Sequence, residues 1–265
     1  MFDIADELDQ VRVELRGDVA WITLNRPEKR NAISAGMQRR LHGVLDELAA
    51  RDVRAVVLTG SGSAFCSGAD LGANDEEAGV AADFDRFLAE GAAFFRTLSN
   101  FPAPVIAAVN GVALAGGLEL MLACDFVIAA DSARIGDGHA RYGLFPGAGA
   151  SVRLPRRVGA AFAKYLMFTG DLLPATDLVV HGLVQIVVPA DLLDSEADRI
   201  SQLIASRSPR ALAAVKTLVN QSEDVPVDSA LHAESLAFRI HLNSPDSSEG
   251  TAAWREGRQP NFREL

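Results

Sequence analysis

The stretch APVIAAVNGVALAGGLELMLACDFVIAA, residues 103–130, decides the fold class. Its first part, APVIAAVNG, is an apolar run set off by proline and an Asn-Gly pair, and it reads as a buried strand. ALAGGLELMLACD follows as a short helix, and DFVIAA as another buried strand. The strands are continuously apolar rather than alternating, which is the pattern of a strand covered on both faces. Strand, helix and strand in so short a span make this an α/β chain.

The same grammar extends in both directions. Upstream, RAVVLTG (54–60) is a buried strand ending in a glycine loop. Before it, alternating segments at 11–16 and 19–25 flank Gly17-Asp18 as a hairpin. Ser34 is placed to cap a helix carrying Met37, Leu41, Val44, Leu45 and Leu48 on one face. A further helix is expected at 81–99. Downstream the chain turns helical, with segments near 151–157, 160–168 and 175–181, a strand at 183–188, and helices at 191–206, 209–221, 227–242 and 246–256. A strand–strand–helix order recurs without a repeat of fixed period. The expected division is an α/β core over 1–190 and a helical part over 191–265.

Bulk properties narrow the function. The chain has 265 residues, 49% of them hydrophobic, enough for a substantial core. Its net charge of −10 argues against non-specific nucleic-acid binding and against an anionic membrane surface. Local donors can still hold an anionic small ligand. Two cysteines, Cys66 and Cys124, fit a reduced compartment and read as small core residues. MFDIADELDQ has no apolar core, so no signal peptide is expected and the location is expected to be cytoplasmic. The longest uncharged run, Thr97–Leu118, is broken by Pro102, Pro104 and Asn110, so no membrane span is expected. His42, His181, His232 and His241 lack metal-ligand spacing, and no metal site is expected. Nucleotide-cofactor fingerprints are absent from the sequence.

Ligands of α/β sheets collect outside the carboxyl ends of strands. Two such ends here carry unusual residues, SGSAFCSGADL (61–71) and NGVALAGGLEL (110–120). Ala115, Gly116 and Gly117 leave backbone open to a ligand. A helix starting near Gly116 would leave its first amides unpaired, a site for developing negative charge. Glu119 would share that first turn, as a carboxylate base. Close helix packing is the competing explanation for the glycine pair. Ser67-Gly68-Ala69-Asp70 could aim a second amide at the same point. Two converging amides make an oxyanion hole.

Five ordered motifs, NRPEKRNAIS (25–34), FCSGADL (65–71), NGVALAGGLELMLACD (110–125), GLFPGAGAS (143–151) and TGDLLPATDLVVHGLV (169–184), resemble the enoyl-CoA hydratase/isomerase, or crotonase, family. The C-terminal SSEGTAAWREGRQPNF resembles that family's last helix. The resemblance implies a crotonase-like spiral of strand–strand–helix turns with a helical C-terminal part. It implies an acyl-CoA thioester substrate, coenzyme A being part of that substrate and no separate cofactor being needed. It also implies a homotrimer or a dimer of trimers. By position the oxyanion amides would belong to Ala69 and Gly116. Ser67, Gly68, Asp70, Leu71, Gly117 and Tyr142 would lie along the substrate, and Arg26, Lys29 and Arg30 are candidates for its nucleotide end. Gly72 stands where hydratases often carry a lysine, and Arg255 and Arg258 are candidates from a neighbouring subunit.

Hydratases of the family hold a water between two glutamates. The first falls on Glu119 and the second on His139, within DGHARYGLFPGAGAS (137–151). A histidine can exchange a proton near neutrality. Beside Glu119 it is also expected to form an ion pair that depresses the carboxylate's proton affinity. Asp137 is the other candidate for the missing acid, and Tyr142 and Phe145 are candidates for the acyl pocket. Restoring a carboxylate by His139→Glu would raise hydration if the histidine is a weak acid. It would lower activity if the histidine is tuned to another substrate. Hydratase chemistry is the leading reading. The alternatives are a double-bond isomerase working with Glu119 alone, other enolate chemistry, and a non-catalytic acyl-CoA binder.

Overall fold

The computed structural model describes residues 10–70 and 80–262. Leu71 and Gly72 lie outside the described residues. The chain opens with strands β1 (Val11–Arg16) and β2 (Val19–Leu24), paired antiparallel from Val11↔Leu24 to Arg16↔Val19. Helix α1 (Ala35–Ala49) follows, with Ser34 Oγ accepting from the Met37 amide at 3.1 Å. That cap is worth about 1 kcal/mol. Met37, Leu41, Val44, Leu45 and Leu48 are all buried, as the helical spacing requires.

Three strand pairs come next. β3 (Ala55–Gly60) runs on to β4 (Ala64–Cys66), β5 (Val105–Val109) to β6 (Val112–Leu114), and β7 (Phe126–Ala130) to β8 (Arg134–Gly136). Helix α2 (Val80–Ser99) lies between the first and second pairs, and α3 (Gly116–Leu122) between the second and third. Each pair gives one strand to each of two sheets. A six-stranded sheet has the order β1-β2-β3-β5-β7-β10, closed by β10 (Ile186–Val188). A four-stranded sheet has the order β4-β6-β8-β9, ending in β9 (Leu173–Pro174). Beyond the β1–β2 hairpin and the β8–β9 pair, every pairing in both sheets is parallel. The chain is thus a spiral of strand–strand–helix turns. β5, VIAAV, is buried throughout because elements cover both of its faces.

Helices α4 (Ala150–Val158) and α5 (Ala160–Thr169) follow. The helix expected over 175–181 is only a 3-10 turn, Ala175–Leu178, and the strand expected over 183–188 is paired only at 186–188. Helix α6 (Leu193–Ala205) packs against β2, β3, β5 and β7, so part of the sheet's cover comes from beyond residue 190. α7 (Pro209–Ser222), α8 (Val227–Leu242) and α9 (Pro245–Glu256) complete the chain. Lys216 of α7 reaches back to Asp125 Oδ2 at 2.8 Å and to the Ala103 carbonyl at 3.2 Å. No helix among the described residues is long and apolar enough to cross a membrane.

Candidate active site

The carboxyl ends of β4, β6 and β8 lie side by side because those strands are parallel neighbours. They deliver Ser67–Asp70, Ala115–Gly116 and Asp137–His139 to one place. Ser67, Ala69, Ala115, Gly116, Glu119, His139 and Tyr142 line a common cavity of about 250 Å³. Ile33, Leu88, Phe95, Leu114, Leu144 and Phe145 make much of the remaining wall apolar.

The Ala69 amide is freed by a bridge. Ile33 donates its N–H to the Gly68 carbonyl and accepts the N–H of Asp70, each near 3 Å. In that parallel pattern Ile33 bonds to the neighbours of Ala69, so the N–H of Ala69 points away from Ile33 and has no partner among the described residues. Gly68, at φ +105°, makes the turn possible. The second amide, that of Gly116, is the first N–H of α3 and has no intrahelical partner. The two lie close together. A Cβ built on Gly116 would sit 3.2 Å from Gly68 Cα and 3.4 Å from Ala69 N. Ala115, which aims the Gly116 amide, has φ 52° and ψ −116°. For a residue with a side chain this backbone is strained, at a cost of about 1–3 kcal/mol.

Gly117 does something else. A Cβ there would fall 2.1 Å from the Cys66 carbonyl oxygen, and the residue does not line the cavity. It permits close packing of α3 on β4, the competing explanation that the sequence offered for the glycine pair. Cys66 and Cys124 are buried, and burial pushes both thiols up to about 12, so they are inert packing residues at neutral pH.

Arg26 and Asp70 meet each other. Arg26 Nη2 pairs with Asp70 Oδ2 at 2.8 Å, and Arg26 Nη1 donates to the Ala32 carbonyl at 2.7 Å. Both side chains are largely buried. Removed from water, each charge requires the other, so they latch the 26–33 segment onto the Ala69 loop. Asn31 completes the latch, donating to the Ser61 and Ala64 carbonyls and accepting from the Arg26 amide. Lys29 is exposed on the same turn, and its carbonyl accepts from Ser67 Oγ at 3.4 Å. Tyr142 and Phe145 stand largely exposed at the cavity rim. Arg258 is engaged by Glu249 and Glu256 and is not a free cation.

Glu119 is 3% exposed. Its Oε1 accepts the amides of Ala148 at 2.7 Å and Ala150 at 3.0 Å. The Ala150 amide belongs to the N-terminus of α4, where a carboxylate is favoured. Oε2 has no protein partner among the described residues. Burial raises the Glu119 pKa above its ordinary value, the two amides and His139 oppose the rise, and the net shift is upward. Sequence reasoning missed this clamp because it is made of main chain. It also missed Arg153, half buried, which donates to the Ala148 carbonyl at 2.7 Å and so fixes the clamping loop.

His139 faces the same cavity, yet no hydrogen bond or ion pair joins it to Glu119 among the described residues. The expected Glu119–His139 ion pair is therefore not formed, and the proton affinity of Glu119 is raised rather than depressed. His139 Nδ1 lies instead 3.1 Å from Asp137 Oδ2, an ion-pair distance whose alignment falls short of a hydrogen bond. Asp137 is 1% exposed and does not line the cavity, so it cannot itself stand in as the missing acid. Burial of His139 disfavours its charge, but Asp137 and Glu119 more than offset that, and its pKa is raised.

The enoyl-CoA hydratase/isomerase family pattern matches residues 14–265. A probable enoyl-CoA hydratase of Rhizobium meliloti is 40% identical over 253 residues, covering 95% of this chain and 96% of that protein. The short-chain-enoyl-CoA hydratase of Clostridium acetobutylicum is 36% identical, covering 96% and 97%. Among solved structures, the enoyl-CoA hydratase from Bacillus anthracis superposes with a TM-score of 0.92 at 35% identity, covering 97% of this chain and all of that one. Motif order, spiral fold and strand-end geometry agree with these matches, and the chain belongs to the enoyl-CoA hydratase/isomerase family.

Proposed function

We propose that the protein adds water across the conjugated double bond of a 2-enoyl-CoA thioester. The observation that carries this is the meeting of two unpaired amides, Ala69 and Gly116, with a carboxylate that has one oxygen clamped and the other open. The amides would receive the thioester oxygen and stabilise the enolate, an arrangement worth roughly 10²–10³ in rate per donor. Oε2 of Glu119 holds the water and takes its proton as the water oxygen bonds to the β-carbon. The electron pair of the double bond moves to the thioester oxygen. His139 then gives a proton to the α-carbon, and exchange with solvent resets both groups.

The base must be ionised and the acid protonated. Glu119 is shifted upward, so activity is lost on acidification at a pH above the ordinary glutamate range. His139 is shifted upward too, so the alkaline limb lies above the ordinary histidine value. Exposed Lys29 and Arg30 are the candidates for the CoA phosphates at this rim. Ser67 and Tyr142 flank the path to the cavity. Val227, Leu231, Phe238 and Ile240 of α8 and Trp254 of α9 expose apolar surface, which supports assembly into a trimer or a dimer of trimers.

The test is the absorbance of the conjugated thioester on mixing the protein with crotonyl-CoA and, separately, with a 3-enoyl-CoA. Loss of conjugation from crotonyl-CoA supports hydration. Gain of conjugation from the 3-enoyl-CoA alone points to an isomerase using Glu119. Binding of both with no change in either overturns an enzymatic role on these substrates.

A further inference from the structure

The hydration chemistry makes no direct use of Asp137, yet this carboxylate is among the most deeply buried charges described. It sits at the end of β8, two residues before His139. Gly138 between them takes φ +69°, which turns the chain back on itself. The Asp137 Oδ1 thereby accepts the His139 N–H at 3.2 Å while Oδ2 faces the ring nitrogen Nδ1 at 3.1 Å. Among the described residues no other donor or cation meets this carboxylate. A buried carboxylate without a counter-charge is strongly disfavoured, so the imidazole beside it is its natural partner. Nε2 of the ring has no protein partner among the described residues.

We propose that Asp137 is a positioning residue that holds Nδ1 of His139 and turns Nε2 into the cavity with Glu119, so that an Asp137–His139 pair supplies the proton donor in place of a second carboxylate. This rests on the enoyl-CoA hydratase reading for the identity of the reaction, but not for the pairing itself. A carboxylate on one ring nitrogen fixes the tautomer and stabilises the imidazolium. The charged groups that act on the ring are Asp137, from its own strand end, and Glu119, from α3. Arg153, from α4, acts on Glu119. Two acid–base groups in one cavity then start from opposite charge states, an anionic Glu119 to take a proton and a cationic His139 to give one.

The test is Asp137→Asn, which keeps the shape and the bond from the His139 amide but removes the charge. Asp137→Ser serves if the asparagine variant does not fold. Imidazole ¹⁵N spectra, assigned with a His139→Gln sample, report the ring directly and need no substrate. The wild-type ring is expected to be protonated at Nδ1 and to titrate above an ordinary histidine. In the variant the titration midpoint is expected to fall and the Nδ1 preference to be lost. On crotonyl-CoA, kcat is expected to fall about tenfold or more while KM stays within a few-fold, and the alkaline limb of kcat should move to lower pH. A merely structural role would lower thermal stability without moving that limb or the tautomer. Unchanged titration and tautomer in a folded variant would overturn the proposal. So would an unchanged kcat when the wild type hydrates crotonyl-CoA. If the wild type hydrates nothing but the variant still shifts the His139 signals, the hydratase reading fails and the pairing stands.

Discussion

The two walls of the cavity are built differently. The wall made by Ser67–Ala69 and Ala115–Gly116 offers main-chain amides alone, whereas the wall made by Asp137–Ala150 adds the His139 side chain to the Ala148 and Ala150 amides that clamp Glu119. Amides need only small neighbours and the right backbone, so the first wall is set by the fold. The acid–base wall is set by which side chains stand at the strand ends, and here these are His139 and, 3.1 Å from its Nδ1, Asp137. Membership of the family therefore explains how a thioester oxygen would be held, while the fate of its protons is decided by this chain's own residues.

The largest expected effect breaks the first wall. In Gly116→Val a Cβ must enter the space between Gly68 and the Ala69 amide. Turnover should fall by roughly 10³ or more, and acyl-CoA binding should weaken with it, while circular dichroism stays native. Normal turnover would place the oxyanion site elsewhere.

Next comes the residue that joins the walls. Glu119→Gln should lower kcat by about two orders of magnitude and leave acyl-CoA affinity within a few-fold. It should also stabilise the protein. Burial raises the Glu119 pKa, so the stability contributed by the protonated form is lost as pH rises through that raised value. Glutamine keeps an oxygen for the Ala148 and Ala150 amides without the charge. The variant's melting temperature should exceed the wild type's by about 2–4 °C at pH 8, and the gap should close toward pH 4. A gap that widens on acidification would reverse the sign assigned to this carboxylate.

A smaller effect sharpens the second wall. His139→Glu alone removes the only basic side chain that meets buried Asp137 among the described residues and adds a third carboxylate to the Glu119–Asp137 cluster. Activity and thermal stability should both fall, with activity down about tenfold. Adding Asp137→Asn should recover much of both, a non-additivity that independent sites would not show. The direction is that of the second outcome open from sequence, but its cause is the lost partner of Asp137 and not tuning to another substrate. Smallest is Ala115→Gly. It relieves the strained φ of 52° and should stabilise by about 1 kcal/mol in urea unfolding, while loosening the Gly116 amide and slowing turnover a few-fold.

Long, periodic or continuously apolar segments were legible in the sequence. α1 with its Ser34 cap, β3, β5, β7 and the start of α3 at Gly116 stand where their patterns place them. The second sheet was not legible. β4, β6 and β8 have three residues each, too few for any period to register, and their pairing is a tertiary fact. Yet this sheet is what brings the three site segments together. The 67–70 loop, the helix start at Gly116 and Glu119 on its first turn could be singled out because small residues and a helix start carry a local signal, while Ala69 itself was named by the family resemblance. The clamp from Ala148 and Ala150 carries none, since amides look alike in any sequence. The Arg26–Asp70 latch was not legible for a related reason, because a charge in a loop reads as free until its partner across the fold is seen.

The most direct measurement is isotopic. Crotonyl-CoA is turned over in water enriched in both ¹⁸O and deuterium, and the product is read by mass spectrometry and NMR. The expected product is 3-hydroxybutyryl-CoA with one ¹⁸O on the β-carbon and one deuterium on the α-carbon, the thioester intact. Deuterium gained without ¹⁸O, or ¹⁸O found in a free carboxylic acid, would contradict water addition through Glu119 and His139.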